Sequence, residues 1–296
     1  MARRIVISGA SGLIGGALTT SLRADGIDVI TLVRRPPRNS SERQWAPGER
    51  DLAPEVLAGA EAIVALGGAS VGRLPWTPRY REDLVDSRLK STRTITTALR
   101  ALRDDAPALV SASAVGYYGS APGEQLTEDS PAGDTFLAEL CVQWEAEARR
   151  AEDQTRVALL RTAPVIHRQG VLKPMIQLTR FGLAGPLGRG TQIWPWMSLE
   201  DEVRGIRHVI DQKITGPVNF TGPTPATAND IGRGLARAMH RPFWLPVPAW
   251  ALRLALSAAA ADSLLLSDAD VRPTVLEKSG FRFTHPTVQE AVASAV

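Results

Sequence analysis

A single cysteine, Cys141, stands in 296 residues. One thiol excludes an internal disulfide and a thiolate metal cluster, and it fits a reducing, cytoplasmic setting. Histidine is also scarce, at four, and no His, Asp and Glu recur at ligand spacing, so no metal is expected. Long hydrophobic runs are missing. The most apolar late stretch, residues 248–266, is interrupted by Arg253 and Asp262 and reads as a packed helix pair rather than a bilayer span. The first apolar run meets Ser8 and Gly9 too early for a signal-peptide core. A surplus of one charge is lacking too: 34 Lys and Arg stand against 31 Asp and Glu, a net +3. No Lys/Arg block exceeds a pair, which argues against nucleic-acid binding. The expected partner is a small-molecule substrate, with no nucleic acid, no membrane, and a monomer or homodimer.

What is present is a soluble-globular composition, 44% hydrophobic and 22% charged. Strand-type runs at residues 5–7, 29–33, 62–66, 109–113 and 157–160 alternate with helical periodicity. Leu13, Ile14, Ala17, Leu18 and Leu22 recur at helical spacing. Thr77-Pro78 opens a helix through Leu99, and residues 136–152 form another. This alternation predicts an α/β fold, a doubly wound parallel sheet of Rossmann type. The last third is richer in proline. It shows helix starts at Ser198 with Asp201 and at Thr227 with Asp230, and a short helix from Pro273 that stops at Gly280. The expected division is a nucleotide-binding domain over 1–165, to which 196–222 returns. Residues 166–195 and 223–296 then form a smaller, mostly helical substrate domain.

Gly9-Ala10-Ser11-Gly12-Leu13-Ile14-Gly15 lies between the first strand and the first helix. Gly9 permits a tight turn, Gly12 lets a pyrophosphate approach the backbone, and Gly15 lets the helix pack close to the sheet. The helix N-terminus then presents free N–H groups and its positive dipole end to phosphates. After the second strand, a site that prefers NAD places Asp or Glu on the ribose 2′-hydroxyl. This chain has Arg34 and Arg35 instead, two guanidinium groups suited to a 2′-phosphate, and Ser11 adds a hydroxyl. The expected cofactor is therefore NADP(H), with Gly9, Ser11, Gly12, Leu13, Ile14, Gly15, Arg34 and Arg35 as its contacts.

With Leu66-Gly67-Gly68-Ala69 and the serine-bearing stretch 111–119, these residues resemble the extended short-chain dehydrogenase/reductase superfamily. Trp76-Thr77, Ser87-Arg88, Trp144-Glu145, Leu160-Arg161-Thr162, Gly280-Phe281 and the tail after about residue 241 are more specific. They resemble the atypical epimerase-family, SDR39U1-like branch, which has its own C-terminal segment. The resemblance implies NADP(H) binding with a generally unassigned substrate, and it adds Leu66, Gly67, Gly68 and Glu145 to the cofactor contacts.

Typical members of the superfamily carry a Tyr and, four positions on, a Lys that lowers the phenol pKa for proton transfer. Aligned on the helix of Trp144-Glu145, that pair falls on Leu137 and Cys141. The three tyrosines, Tyr80, Tyr117 and Tyr118, are followed four positions on by Leu84, Ala121 and Pro122. The usual pair is absent. Ser113 matches the superfamily's catalytic serine and is a candidate to hold a substrate carbonyl or hydroxyl. Tyr117 and Tyr118 are candidates for the lost acid, with local packing as the alternative. Glu145 is weighed between holding the nicotinamide side of the cofactor or a loop and being a plain helix-surface charge. Arg88 and Arg161 are weighed between substrate contact and structure, and His167 between acid/base and inert. The function expected is an NADP(H)-dependent oxidoreductase or epimerase-like enzyme, or else a non-catalytic NADPH sensor. The substrate would be covered by residues 169–190 and the C-terminal helices.

Overall fold

Ile5, Val6 and Ile7 are all fully buried, yet they serve two different cores. Successive strand residues point to opposite faces, so an unbroken apolar run is what a sheet covered on both sides requires. The computed structural model describes residues 3–296. In chain order the elements are β1 (Arg4–Ser8), α1 (Leu13–Ala24), β2 (Asp28–Val33), β3 (Glu42–Gln44), β4 (Ala62–Ala65), α2 (Pro78–Leu102) and β5 (Ala108–Ala114). Then come β6 (Gln125–Leu126), α3 (Phe136–Arg149), β7 (Val157–Thr162), β8 (Val165–Ile166), α4 (Leu172–Arg180), β9 (Met197–Ser198) and α5 (Leu199–Asp211). The chain closes with β10 (Gly216–Phe220), α6 (Ala228–Ala238), α7 (Ala249–Leu256), α8 (Ala258–Leu264), β11 (Asp270–Val271), α9 (Thr274–Lys278) and α10 (Val288–Ala295).

Seven strands form one parallel sheet in the order β3-β2-β1-β4-β5-β7-β10. Strand order reverses beside β1, so the loops after β1 and β4 diverge and leave a crevice at the carboxyl ends of the strands. Leu18 and Leu22 of α1 and Ile206 and Val209 of α5 join Ile5 and Ile7 on one face. Ile95 and Leu99 of α2 and Ala148 of α3 join Val6 on the other. A further cluster ties α4, α6 and α10 together through Leu172, Ile231, Leu235 and Val292.

The expected strands and main helices are present, and α3 stops at Arg149, a turn earlier than its periodicity suggested. Thr77 caps α2 by accepting from the Tyr80 N–H, with Pro78 in the first turn. Thr227 and Asp230 form a reciprocal capping box on α6. After α5 the chain adds β10 to the edge of the sheet, where Val218 pairs with Leu160. The tail is stitched to the early chain: β11 pairs with β6, Asp270 opposite Gln125. Edge strand β3, all polar, carries no apolar signal and escaped the sequence reading. Among the described residues no helix is long and apolar enough to cross a membrane.

α5 buries a carboxyl that the fold leaves half satisfied. Glu202 has no exposed surface. One of its oxygens accepts from Thr162 Oγ1 at 2.9 Å, and the other has no partner among the described residues. Burial pushes this carboxyl up to about 8, against the pull of Thr162. Below the unfolded value of 4.5 the group is neutral in both states. Between there and about 8 the unfolded chain releases a proton that the folded chain keeps, so stability falls as pH rises through that window. Glu202→Gln is expected to flatten the fall. Urea titrations of both proteins at about pH 5 and about pH 9 check it; equal losses in the two proteins would contradict the assignment.

Candidate functional site

The turn after β1 is built so that little but glycine fits. Gly9 has φ +77°, and a Cβ there would lie 2.8 Å from the Leu66 carbonyl. A Cβ on Gly15 would meet the Gly9 oxygen at 2.4 Å. Gly12 differs: its φ is −80°, and it is the N-cap of α1 without any side-chain hydrogen bond. No acidic residue stands in the first turn. The opening N–H groups of α1 therefore have neither helical partner nor cap, and the positive end of the helix dipole is uncompensated.

Gly9, Gly12, Leu13, Ile14 and Gly15 line one wall of a cavity of about 890 Å³, large enough for a dinucleotide-sized ligand. The same cavity reaches β5 at Ser113, α3 at Leu137, Cys141 and Trp144, and α8 at residues 262–264. Leu66 lines it. Gly67 and Gly68 do not; a Cβ on Gly68 would come within 3.2 Å of the Arg88 side chain. Ser11 is exposed at the turn and does not line the cavity.

Arg34 and Arg35 part company. Arg35 is forked onto Glu42 of β3 with bonds of 2.7 and 2.6 Å and also donates to the Pro36 carbonyl. The Arg35 guanidinium holds the Glu42 carboxyl down at about 2. Arg34 is exposed, and its guanidinium makes no hydrogen bond or ion pair among the described residues. The two guanidinium groups expected to act alike thus differ, because β3 supplies a carboxylate to only one.

Deeper, the loop and strand candidates belong to one buried network. Arg161 donates to both oxygens of Glu145, at 2.8 and 2.9 Å. It also donates to the Tyr118 hydroxyl at 2.9 Å and to the Glu128 carbonyl at 3.1 Å. Tyr118 donates to Asn219 at 2.7 Å, and Ser113 donates to Glu145 at 2.7 Å. The Arg161 guanidinium also lies 3.5 Å from the centre of the Tyr117 ring.

This corrects three expectations. Tyr118 is not poised to replace the lost acid, because its hydroxyl is spent inside the network and burial pushes its phenol up to about 12. Tyr117 lies against Arg161 and does not line the cavity. Glu145 is buried behind Ser113 and Arg161 and does not touch the cavity, so it positions side chains rather than a cofactor. Of the three catalytic candidates only Ser113 faces the cavity. Its proton is committed to Glu145, so toward a ligand its oxygen accepts. It suits a hydroxyl or N–H and not a carbonyl.

The Leu137 and Cys141 wall carries no acid that titrates near neutrality: burial pushes the Cys141 thiol up to about 12. His167 accepts from the Gln169 N–H and lines a separate cleft with His285. Among the described residues no group of three or more His, Cys, Asp or Glu is arranged to hold a metal. Sequence reading missed the contribution of residues 70–74, and it named the C-terminal helices as a cover without singling out α8. These segments have no local signature and meet only in the fold.

A seven-stranded parallel sheet with its glycine turn facing a crevice at the strand ends defines a Rossmann-type protein of the short-chain dehydrogenase/reductase class. Residues 5–220 match the family described as the NAD dependent epimerase/dehydratase family, and residues 247–295 match a domain of unknown function, DUF1731. The chain belongs to that epimerase/dehydratase family. It is 40% identical to an epimerase family protein of Mycobacterium bovis, over 98% of this chain and 97% of that one. It is 30% identical to the epimerase family protein SDR39U1 of Homo sapiens over 99% of each. The crystal structure of human SDR39U1, isoform 2, with NADPH matches at a TM-score of 0.89 and 27% identity, covering 99% of this chain and 98% of that one. A nucleoside-diphosphate sugar epimerase from Corynebacterium glutamicum matches at 0.81 and 29% identity, covering all of this chain and 58% of its own.

Proposed function

We propose that this chain binds NADP(H) across the carboxyl edge of its sheet and acts on a small organic molecule in the adjoining cavity, as an oxidoreductase or epimerase-like enzyme. One observation carries the reading. The uncapped N-terminus of α1, opened by three glycines, forms part of the wall of a cavity large enough for a dinucleotide. The NADPH in the similar human structure supports it.

The residues fit the group. The bare Gly12 leaves room at the first N–H groups of α1 for a pyrophosphate, and Arg34 is free to take a ribose 2′-phosphate while Arg35 is held by Glu42. When bound, a nicotinamide would supply a hydride donor or acceptor to this cavity. Leu137, Leu140 and Trp144 keep water from its wall, and Ser113 accepts from a substrate hydroxyl.

The absence of an acid where the family's pair would stand favours a second reading, a non-catalytic NADPH sensor. Purified protein should shift NADPH fluorescence at micromolar concentration. Turnover of that NADPH with any of a panel of aldehydes, ketones and sugar nucleotides favours the enzyme, and none favours the sensor. Arg34→Ala should weaken NADPH by about 10- to 100-fold, the equivalent of one charge-assisted contact, and leave NADH nearly unchanged. Arg35→Ala should do less. Equal loss of both dinucleotides would reject the 2′-phosphate assignment.

A further inference from the structure

Arg88 and Arg161 look alike in the sequence, but the fold treats them oppositely. Arg161 is answered by a carboxylate, a phenol and a carbonyl. Arg88, on α2, spends one of its five N–H donors on the Leu84 carbonyl at 3.0 Å, and no carboxylate pairs with it among the described residues. Its guanidinium lies 5.1 Å from the centre of the buried Trp144 ring and beneath Gly68. It also forms part of the cavity wall. The charged residues lining that cavity are Arg73, Arg88 and Lys173 against Asp262 alone. Asp262 is already paired with Arg253 at 2.9 Å. Arg73 and Lys173 are exposed at the rim, whereas Arg88 is sunk into the wall.

A cation removed from water without a counter-charge is unfavourable. The fold keeps one here, and burial pulls the pKa of Arg88 downward. Such a group is compensated when a ligand brings the missing charge. We propose that Arg88 is the cavity's oxyanion-binding residue: its free guanidinium fork takes a phosphate or carboxylate oxygen pair of the bound ligand. Trp144 and Gly68 hold the fork in place, the first by a cation–π contact and the second by having no side chain. With Ser113 restricted to accepting, the cavity asks for a ligand that carries an anionic group and a hydroxyl. The proposal rests on the reading of this cavity as the ligand site, but not on the identity of the dinucleotide.

The test uses Arg88→Met, which keeps the stem and removes the charge, and Arg88→Lys, which keeps the charge and loses the fork. In the ligand-free protein Arg88→Met should raise the melting temperature by about 2 °C or more, because an unanswered charge is gone. A structural arginine would do the reverse. Calorimetry then has two arms. Titration with NADPH and with inorganic pyrophosphate asks whether the anion is the cofactor's. Titration of the NADPH-loaded protein with gluconate, against neutral sorbitol, asks whether it is the substrate's. A loss of roughly tenfold or more in either arm for Arg88→Met, partly recovered in Arg88→Lys, supports the proposal and names the source. Unchanged affinity in both arms, or a lower melting temperature for Arg88→Met, overturns it. If the wild type binds no dinucleotide, the proposed function fails. Arg88 is then still judged by pyrophosphate binding and by the melting temperatures.

Discussion

Arg161→Met is expected to destabilise the protein by about 3–5 kcal/mol, the penalty of leaving Glu145 as an unanswered carboxylate in the interior. Both side chains are nearly inaccessible, 3% and 5% exposed, so solvent cannot take over the lost bonds. The damage spreads because the pair is a hub: Ser113 hangs from Glu145, and Tyr118 and the Glu128 carbonyl hang from Arg161. Through Tyr118 and Asn219 the hub reaches the Arg272 carbonyl, so it also clips the C-terminal segment to the sheet. Glu145→Leu alone should lose a comparable amount, because it leaves Arg161 as the unanswered charge. The double replacement Glu145→Leu with Arg161→Met should recover much of it, since two matched apolar groups leave no orphaned charge. Chemical denaturation of the three variants tests this. Strict additivity of the single losses would mean that the pair is not the unit described.

Gly12→Asp is expected to separate folding from binding more cleanly than any other substitution. Gly12 has an extended φ of −80°, which any residue adopts, and its added Cβ meets only the Gly9 oxygen, at 3.3 Å. An aspartate there becomes a good N-cap, accepting from the first free N–H groups of α1 and gaining roughly a few tenths of a kcal/mol over glycine, about enough to offset the small displacement needed. The same carboxylate then occupies the place proposed for the pyrophosphate and repels its charge. Melting temperature should hold or rise, while NADPH and NADH both lose affinity by about 100-fold or more. Wild-type affinity in this variant would mean that the phosphates do not rest on α1. Gly9 offers no such separation, because its φ of +77° and the Leu66 backbone 2.8 Å away would strain the fold itself.

The legible part of the site was local. The β1–α1 turn was readable because its three glycines are spaced within seven residues and each has its own backbone or packing reason. Arg34 and Arg35 were readable as a pair at a strand end, but not as unequal partners. The carboxylate that divides them, Glu42, comes from an edge strand whose polar residues carry no periodicity. Ser113 was legible as a strand-end serine, but its committed proton was invisible because Glu145 lies 32 residues away on α3. The roles of Glu145, Tyr117 and Tyr118 stayed open in the sequence for one reason. A polar residue near a strand end can face the crevice or turn into the core, and neither spacing nor type decides which.

The amino-acid sequence by itself determined the parallel sheet, the strand–turn–helix start and the loss of the family's Tyr and Lys. Apolar runs, glycine positions and missing residues are properties of the chain read along its length. Only the tertiary structure decided which of two arginines is answered. Arg161 meets Glu145 from the facing helix, whereas Arg88 meets an aromatic ring and an open cavity. Whether a buried charge holds the fold together or waits for a ligand depends on what distant segments bring within about 3 Å of it, and that distance exists only once the chain has closed on itself.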